Sequence, residues 1–200
     1  MSAVDSGKSQ EKLSSSLAYW GANLFILAYF GVLFGGFYIQ FTMDEYPCPF
    51  CMLQRYAMIL SCIGPLVIII AAKNNKLTPA LYSSMYGMAI LSAVAGIIVS
   101  TSHIAINLKP GGGYGPKILG FSTYTWAFIS FAVVIIFSAV CILLSPQVVA
   151  TNETFNRLSM IIVWLFFAMV VANLISTVFL EGFNWLLPSN PECYRLIQNC

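Results

Sequence analysis

Two cysteines separated by two residues, Cys48 and Cys51, are the side chains in this sequence best suited to carry chemistry. A C-x-x-C pair can close a small disulfide, and its reactive form is the thiolate. Pro49 suits the first position of a helix, which leaves Cys48 near the N-cap, where free N–H groups and the helix dipole favour a thiolate. Arg55 lies four residues after Cys51, so both fall on one helix face, where the fixed charge favours an anionic neighbour. The pattern indicates thiol–disulfide chemistry.

Other interpretations of the cysteine pair stay open at this point. Free cysteines often behave as small buried hydrophobic residues, and a cysteine pair can also form a static structural disulfide. Two thiolates supply half of a tetrahedral zinc shell, and copper(I) is a further option because Met43 and Met52 are nearby. Haem attachment needs a histidine directly after the second cysteine, but Met52 stands there. We predict no metal site.

Four more residues are candidates for the same chemistry. His103 is the only histidine and lies in an apolar segment, where it is either a packed, hydrogen-bonded side chain or a functional group. Gln54 is a second possible donor beside the motif. Cys193 and Cys200 are either a static clip on the C-terminal tail or a second redox pair that exchanges electrons with the first.

The elements that must position these residues are membrane-spanning helices. The chain of 200 residues is 59% hydrophobic and only 8% charged, against about 25% charged in soluble domains. Five long stretches hold no charged residue, and each can contain the roughly 20 apolar residues of a spanning helix. Backbone groups in lipid must bond within their own segment, so helices are expected. We predict them near residues 17–41, 56–72, 80–104, 123–145 and 158–180.

The remaining segments are predicted to be tails and short loops. Residues 1–16 are polar and serine-rich and are expected to be disordered, 17–180 form the helical bundle, and 181–200 form a polar tail. The first apolar run is too long for a signal peptide and is predicted to be a retained helix.

Helices one, three and five deliver the chain to the same membrane face, and a small excess of basic residues favours an inside N-terminus. The net charge of +2, without a basic patch, does not suggest nucleic acid.

Together these residues resemble the bacterial DsbB family of disulfide-forming membrane proteins. The resemblance rests on a membrane helix followed by Cys48-Pro-Phe-Cys51-Met-Leu-Gln-Arg55 and on His103 at the end of helix three. It also includes the stretch from Tyr114 to Phe128, which looks like the entry to helix four in some members. The resemblance covers roughly residues 17–145.

The resemblance implies an all-α, DsbB-like four-helix transmembrane bundle, here with a fifth helix, that acts as a quinone-dependent thiol oxidase. Such an enzyme reoxidises a periplasmic DsbA-like, thioredoxin-like dithiol oxidase from the bacterial inner membrane, supporting disulfide formation and protein folding. Its electrons pass to the membrane quinone pool, ubiquinone or menaquinone. By this resemblance Cys51 lies beside the quinone and Cys48 exchanges with a second disulfide or the partner. Arg55 and His103 would hold the quinone oxygens, with Gln54 as a polar neighbour.

The chain departs from the family pattern in two ways. The best-known members carry a second cysteine pair in the loop after helix three, whereas residues 105–122 contain no cysteine. The chain also has a predicted fifth helix and a tail with two cysteines, and we hypothesise that Cys193 and Cys200 replace the missing pair. Two other functions remain open: a non-enzymatic redox- or metal-sensing membrane protein, and a structural subunit of a membrane complex.

Overall fold

The computed structural model describes residues 2–43, 45–108, 117–147, 157–182, 191 and 193–198. A short antiparallel hairpin precedes the fourth helix, and a 3₁₀ turn follows it at Ser145–Gln147. The helices and strands are α1 (Ser2–Thr42), α2 (Pro49–Lys73), α3 (Pro79–Asn107), β1 (Lys117–Ile118), β2 (Phe121–Ser122), α4 (Thr123–Leu143), α5 (Arg157–Glu181) and α6 (Arg195–Gln198).

Five of these helices are long and apolar enough to cross a membrane. Many of their outward-facing side chains are large and hydrophobic, among them Leu91, Ile136 and Trp164. Contiguous apolar surface of this kind is unusual on a soluble monomer and is expected where lipid is the solvent. The prediction of an all-α membrane protein with five spans is therefore confirmed.

Two predicted boundaries differ from the structure. α1 begins at Ser2, so the segment 1–16, predicted to be disordered, is helical from Ser2 onward, although the apolar span starts only at Ser16. No proline interrupts this segment, and polar residues alone do not end a helix. α2 begins at Pro49 rather than at residue 56, because Pro49 occupies the first turn and Cys48 caps it. Cys51 and Arg55 therefore lie inside α2.

Glycines set the close contacts between the central helices α2, α3 and α4. A Cβ atom at Gly64 of α2 would overlap a backbone carbonyl of α3, and one at Gly96 of α3 would overlap the ring of Phe131 on α4. Gly31 and Gly35 of α1 have a spacing that allows close helix packing, yet no atom lies within 4 Å of a Cβ built at either position. These two glycines instead face a cavity, described below.

α5 packs along α1 and runs in the same direction. Near one end, Tyr19 Oη donates to Ser159 Oγ over 2.7 Å, and near the other, Gln40 Nε2 donates to Ser176 Oγ over 2.9 Å. Because the sequence separations of the two pairs are nearly equal, 140 and 136 residues, the helices are parallel. The tail after α5 therefore lies at the same end of the bundle as the start of α2, as the five-span topology predicts.

Candidate functional site

The two cysteines of the C-x-x-C motif meet at the N-terminus of α2. Cys48 is the N-cap residue, and its Sγ accepts a hydrogen bond from the backbone N–H of Cys51 over 3.4 Å. The two Sγ atoms are 3.0 Å apart, and both residues are free thiols. A disulfide needs about 2.05 Å between its sulfurs, so a small side-chain movement would allow the bond.

Cys48 is the member of the pair whose surroundings favour a thiolate. Its pKa is lowered to about 5, chiefly because the Cys51 thiol hydrogen-bonds to it, and the side chain of His103 and the backbone N–H of Cys51 lower it further against the opposing effect of burial. Cys48 is only 5% exposed, so this thiolate is largely shielded from water. A low pKa makes a cysteine a good leaving group in thiol–disulfide exchange.

His103 lies against Cys48, with its Nε2 3.7 Å from the cysteine Sγ. The imidazole is 3% exposed and sits between the rings of Phe50 and Tyr124, at centroid distances of 5.4 and 4.6 Å. Within the described residues its Nδ1 has no hydrogen-bond partner. The structure places His103 at Cys48. Its predicted contact with a quinone oxygen, which the resemblance implies, stays a prediction.

Arg55 is held in place by α1. Its Nη1 donates to Gln40 Oε1 over 2.8 Å, and its Nη2 donates to the Gly36 carbonyl over 3.0 Å. The guanidinium carbon lies 5.0 Å from the ring centroid of Phe37, a distance at which a cation is attracted to a ring face. A Cβ atom at Gly36 would lie only 3.3 Å from Nη2, so the absence of a side chain there lets the guanidinium approach the backbone.

A cavity of about 820 Å³, here called the α1–α4 cavity, lies between α1 and α4 with α2 beside it. The charged residues that line it, Glu45, Arg55 and Lys117, all belong to segments at the end where α2 begins. Cys51 and Gln54 also line the cavity. Apolar side chains supply most of the remaining wall, for example Leu24, Val32, Ile39, Ile129, Val133 and Phe137.

Gln54 lines the polar end of the cavity and is hydrogen-bonded to α3. Its Nε2 donates to Ser100 Oγ of α3 over 3.1 Å, and the side chain is buried. The arrangement of one polar end and a long apolar wall fits a ligand with a polar head and an apolar tail. Cys51, Gln54 and Arg55, predicted from the sequence, are thus brought together at the cavity, whereas Cys48 and His103 form a pair beside it.

The tail residues are placed only in part. Cys193 is disulfide-bonded, and Cys200 lies outside the described residues. Tyr194, the next residue, accepts a hydrogen bond at its Oη from Gln40 Nε2 over 2.8 Å. Cys193 is therefore attached to the end of the bundle that holds Arg55.

One described cluster has the composition of a metal site. Single ligand atoms from Cys48, Cys51 and His103 lie within 4.8 Å of one another. Three protein ligands are fewer than the four of a closed structural zinc site but match an open one. The absence of a metal stays a prediction.

Sequence reasoning missed Gln40, Gly36 and Tyr194. Gln40 carried a usable signal, because a polar residue inside a spanning segment is a functional candidate by default. Gly36 and Tyr194 carried none, since their roles depend on contacts with Arg55 and Gln40 that only the folded chain shows.

Comparison with known proteins points to one family. The family model for disulfide bond formation protein DsbB matches residues 19–113. Disulfide bond formation protein B of Cupriavidus necator is 35% identical over 92 residues, 46% of this chain and 53% of the relative. The protein of the same name from Cupriavidus pinatubonensis is 32% identical over 102 residues, which are 51% of this chain and 58% of the relative.

A third relative, disulfide bond formation protein B 1 of Pseudomonas putida, is 33% identical over 76 residues, 38% of this chain and 42% of the relative. The chain spans about half the length of the curated relatives it matches. No solved structure matches it. The matched range contains the C-x-x-C motif, Arg55 and His103, and over residues 19–113 this multi-pass membrane chain is similar to the DsbB family, whose curated members are named for disulfide bond formation.

Proposed function

We propose that this protein is a membrane thiol:quinone oxidoreductase of the bacterial inner membrane. It reoxidises a periplasmic, DsbA-like dithiol oxidase and passes the electrons to a membrane quinone, ubiquinone or menaquinone. The observation that carries the proposal is that Cys51 shares one end of an otherwise apolar cavity with Arg55 and Gln54. A ligand with a carbonyl-bearing ring and a long apolar tail suits such a cavity.

On the thiol side, two exchange steps reduce a disulfide between Cys48 and Cys51. An entering thiolate attacks the Cys48 sulfur, the bond to Cys51 breaks, and Cys51 leaves as a thiolate beside the cavity. A second thiol of the donor then attacks the entering sulfur, and Cys48 leaves. The low pKa of Cys48, about 5, favours its departure. The donor dithiol is left as a disulfide, and its two electrons now reside in the reduced Cys48 and Cys51.

On the acceptor side, the chain supplies orientation and charge. A bound quinone supplies an acceptor for two electrons and two protons. Arg55 would donate hydrogen bonds to the head of such a ligand, and Gln40 and Gly36 keep the guanidinium in place. Two of its five N–H donors are used in these bonds. Cys48 and Cys51, with sulfurs 3.0 Å apart, then close their disulfide.

In this proposal Cys193 and Cys200 serve as the second redox pair. Five spans bring the tail back to the face where α2 begins, and Tyr194 is tied to Gln40 there. Cys193 carries a disulfide, the oxidised form that a reduced partner would attack first. The pair would relay electrons from the soluble partner to Cys48, which is itself 5% exposed.

A turnover experiment tests the proposal. Purified protein in nanodiscs is mixed with a reduced DsbA-like partner, with and without a short-chain ubiquinone or menaquinone analogue, and partner thiols are counted over time. We expect oxidation only with quinone, and less than about 1% of it in Cys51→Ser, because the cysteine beside the acceptor is lost.

The matched control is Cys62→Ala, which removes a buried free thiol from the same helix and should keep its turnover. Partner oxidation without any quinone, or equal rates in Cys51→Ser, would refute the proposal. The metal-sensing alternative rests on the Cys48, Cys51 and His103 cluster. Stoichiometric zinc or copper in the purified protein, together with no turnover, would favour it.

A further inference from the structure

α5 and the tail residue Tyr194 lie beyond the range that matches the DsbB family, yet both contact Gln40, the residue that accepts a hydrogen bond from Arg55. Gln40 Nε2 donates to Ser176 Oγ of α5 over 2.9 Å and to Tyr194 Oη over 2.8 Å. Gln40 Oε1 accepts from Arg55 Nη1 over 2.8 Å. Gln40 is 2% exposed, so these bonds are made away from solvent.

The chemistry of the three partners fixes the orientation of the Gln40 amide. Arg55 can only donate, so the amide oxygen must face it, and both amide N–H groups are then directed to the two hydroxyls. Removing one hydroxyl would leave a buried N–H without its partner, a costly state that the amide can escape only by turning or shifting. Either movement would release Arg55 from its bond to Oε1.

Tyr194 is held by its ring as well as by its hydroxyl. The ring packs edge-on against Tyr46, with centroids 5.1 Å apart, in the segment that leads into the C-x-x-C motif. Cys193, directly before it, is disulfide-bonded, and α6 begins directly after it. The hydroxyl can therefore be removed while the ring contact keeps the tail in place.

We infer that Tyr194 is a positioning residue for the acceptor end of the α1–α4 cavity. Through Gln40 it fixes the guanidinium of Arg55, and in this way the C-terminal tail sets the affinity for the head of the ligand. Ser176 of α5 supports the same amide from the other side. The inference rests on the proposed quinone function, and it assigns to the tail a task separate from electron transfer by its cysteines.

The test compares Tyr194→Phe with Tyr56→Phe in the full chain in nanodiscs. Tyr56 Oη lies 2.7 Å from Thr177 Oγ1, so the control removes a hydroxyl from another α5 contact without touching Gln40. Binding of a short-chain ubiquinone is titrated by quenching of tryptophan fluorescence, which is suitable because Trp126 lines the cavity. We expect the Kd to rise about fivefold to tenfold in Tyr194→Phe and to stay unchanged in Tyr56→Phe.

A second measurement follows Arg55 directly and does not depend on quinone. The chain has three arginines, so ¹⁵N NMR of their side chains, assigned with Arg55→Lys, resolves the guanidinium. We expect faster rotation and hydrogen exchange of the Arg55 Nη groups in Tyr194→Phe than in Tyr56→Phe. An Arg55 signal and a Kd that are the same in both variants would overturn the inference. A changed Arg55 signal in a protein that binds no quinone would refute the proposed acceptor and still support positioning by Tyr194.

Discussion

The Sγ of Cys48 lies 3.7 Å from Nε2 of His103, and this contact joins the first turn of α2 to the last part of α3. The histidine therefore contacts the cysteine pair, while Arg55 lines the α1–α4 cavity. His103 contacts Cys48, whereas Arg55 shares the lining of the cavity with Cys51. This division gives each of them a separate experimental signature.

Replacing His103 should change the titration of Cys48. In the native protein the Cys48 pKa is about 5, so its thiolate dominates above that pH and is lost as the pH falls through it. We expect His103→Phe, which keeps a ring between Phe50 and Tyr124, to raise this pKa because the hydrogen bond to sulfur disappears. The rate of Cys48 alkylation by iodoacetamide between pH 4 and pH 9 measures the shift.

Cys51→Ala provides the comparison, because the Cys51 thiol is the largest cause of the lowered Cys48 pKa. We expect it to move the alkylation midpoint to a higher pH than His103→Phe does. An unchanged midpoint in His103→Phe would mean that the imidazole does not stabilise the thiolate.

Filling the α1–α4 cavity should weaken binding of the acceptor without altering the cysteines. Gly35 lines the cavity, and a Cβ there meets no atom within 4 Å, so Gly35→Leu places its side chain in the open space. We expect a Kd for short-chain quinone at least about tenfold higher, through lost apolar contact. Gly87→Leu is the control, since that position is equally open but does not line the cavity. Equal affinities in the two variants would place the ligand elsewhere.

Replacing the tail cysteines should separate partner oxidation from quinone binding. In Cys193→Ser/Cys200→Ser we expect partner turnover to be lost, because the proposed relay is removed. Quinone affinity should hold, since Tyr194 keeps its ring contact with Tyr46 and its bond to Gln40. Partner turnover and fluorescence titration on the same preparation check both parts. Full partner turnover in this variant would remove the tail cysteines from the electron path.

The membrane architecture was predictable because composition leaves little choice. A chain with 8% charged residues and five charge-free stretches must form spanning helices or a closed barrel, and the stretches lack the alternation of a barrel. Cys48, Cys51 and Arg55 were also predictable, because their relation depends only on spacing along one helix. The predicted start of α2 at residue 56 follows from the charge at Arg55, which ends the charge-free stretch, whereas the helix begins at Pro49.

Contacts between distant segments were not predictable from the sequence. The approach of His103 to Cys48 depends on how α3 is rotated against α2, and that follows from packing such as the close contact at Gly64. The bond between Gln40 and Tyr194 joins residues 154 positions apart. No local pattern contains information about either pairing.

Disturbing the α2–α3 contact should lower stability. A Cβ at Gly64 would overlap a backbone carbonyl of α3, which cannot move as a side chain can. We expect Gly64→Ala to reduce the free energy of unfolding by about 1–3 kcal/mol. Gly87→Ala, at an open position on α3, should leave it unchanged or raise it by up to about 1 kcal/mol. Reversible unfolding in mixed micelles measures both, and equal stabilities would show that α3 can move away at little cost.

The most direct measurement is the redox state of Cys48 and Cys51 in the reduced protein, before and after one equivalent of quinone. Free thiols are alkylated and each cysteine is located by mass spectrometry, with Arg55→Met and Arg157→Lys alongside. We expect the native protein and Arg157→Lys, altered at the start of α5, to convert both cysteines to a disulfide, and Arg55→Met to convert them far more slowly. A pair that stays fully alkylated in the native protein after quinone is added would contradict electron transfer from these cysteines.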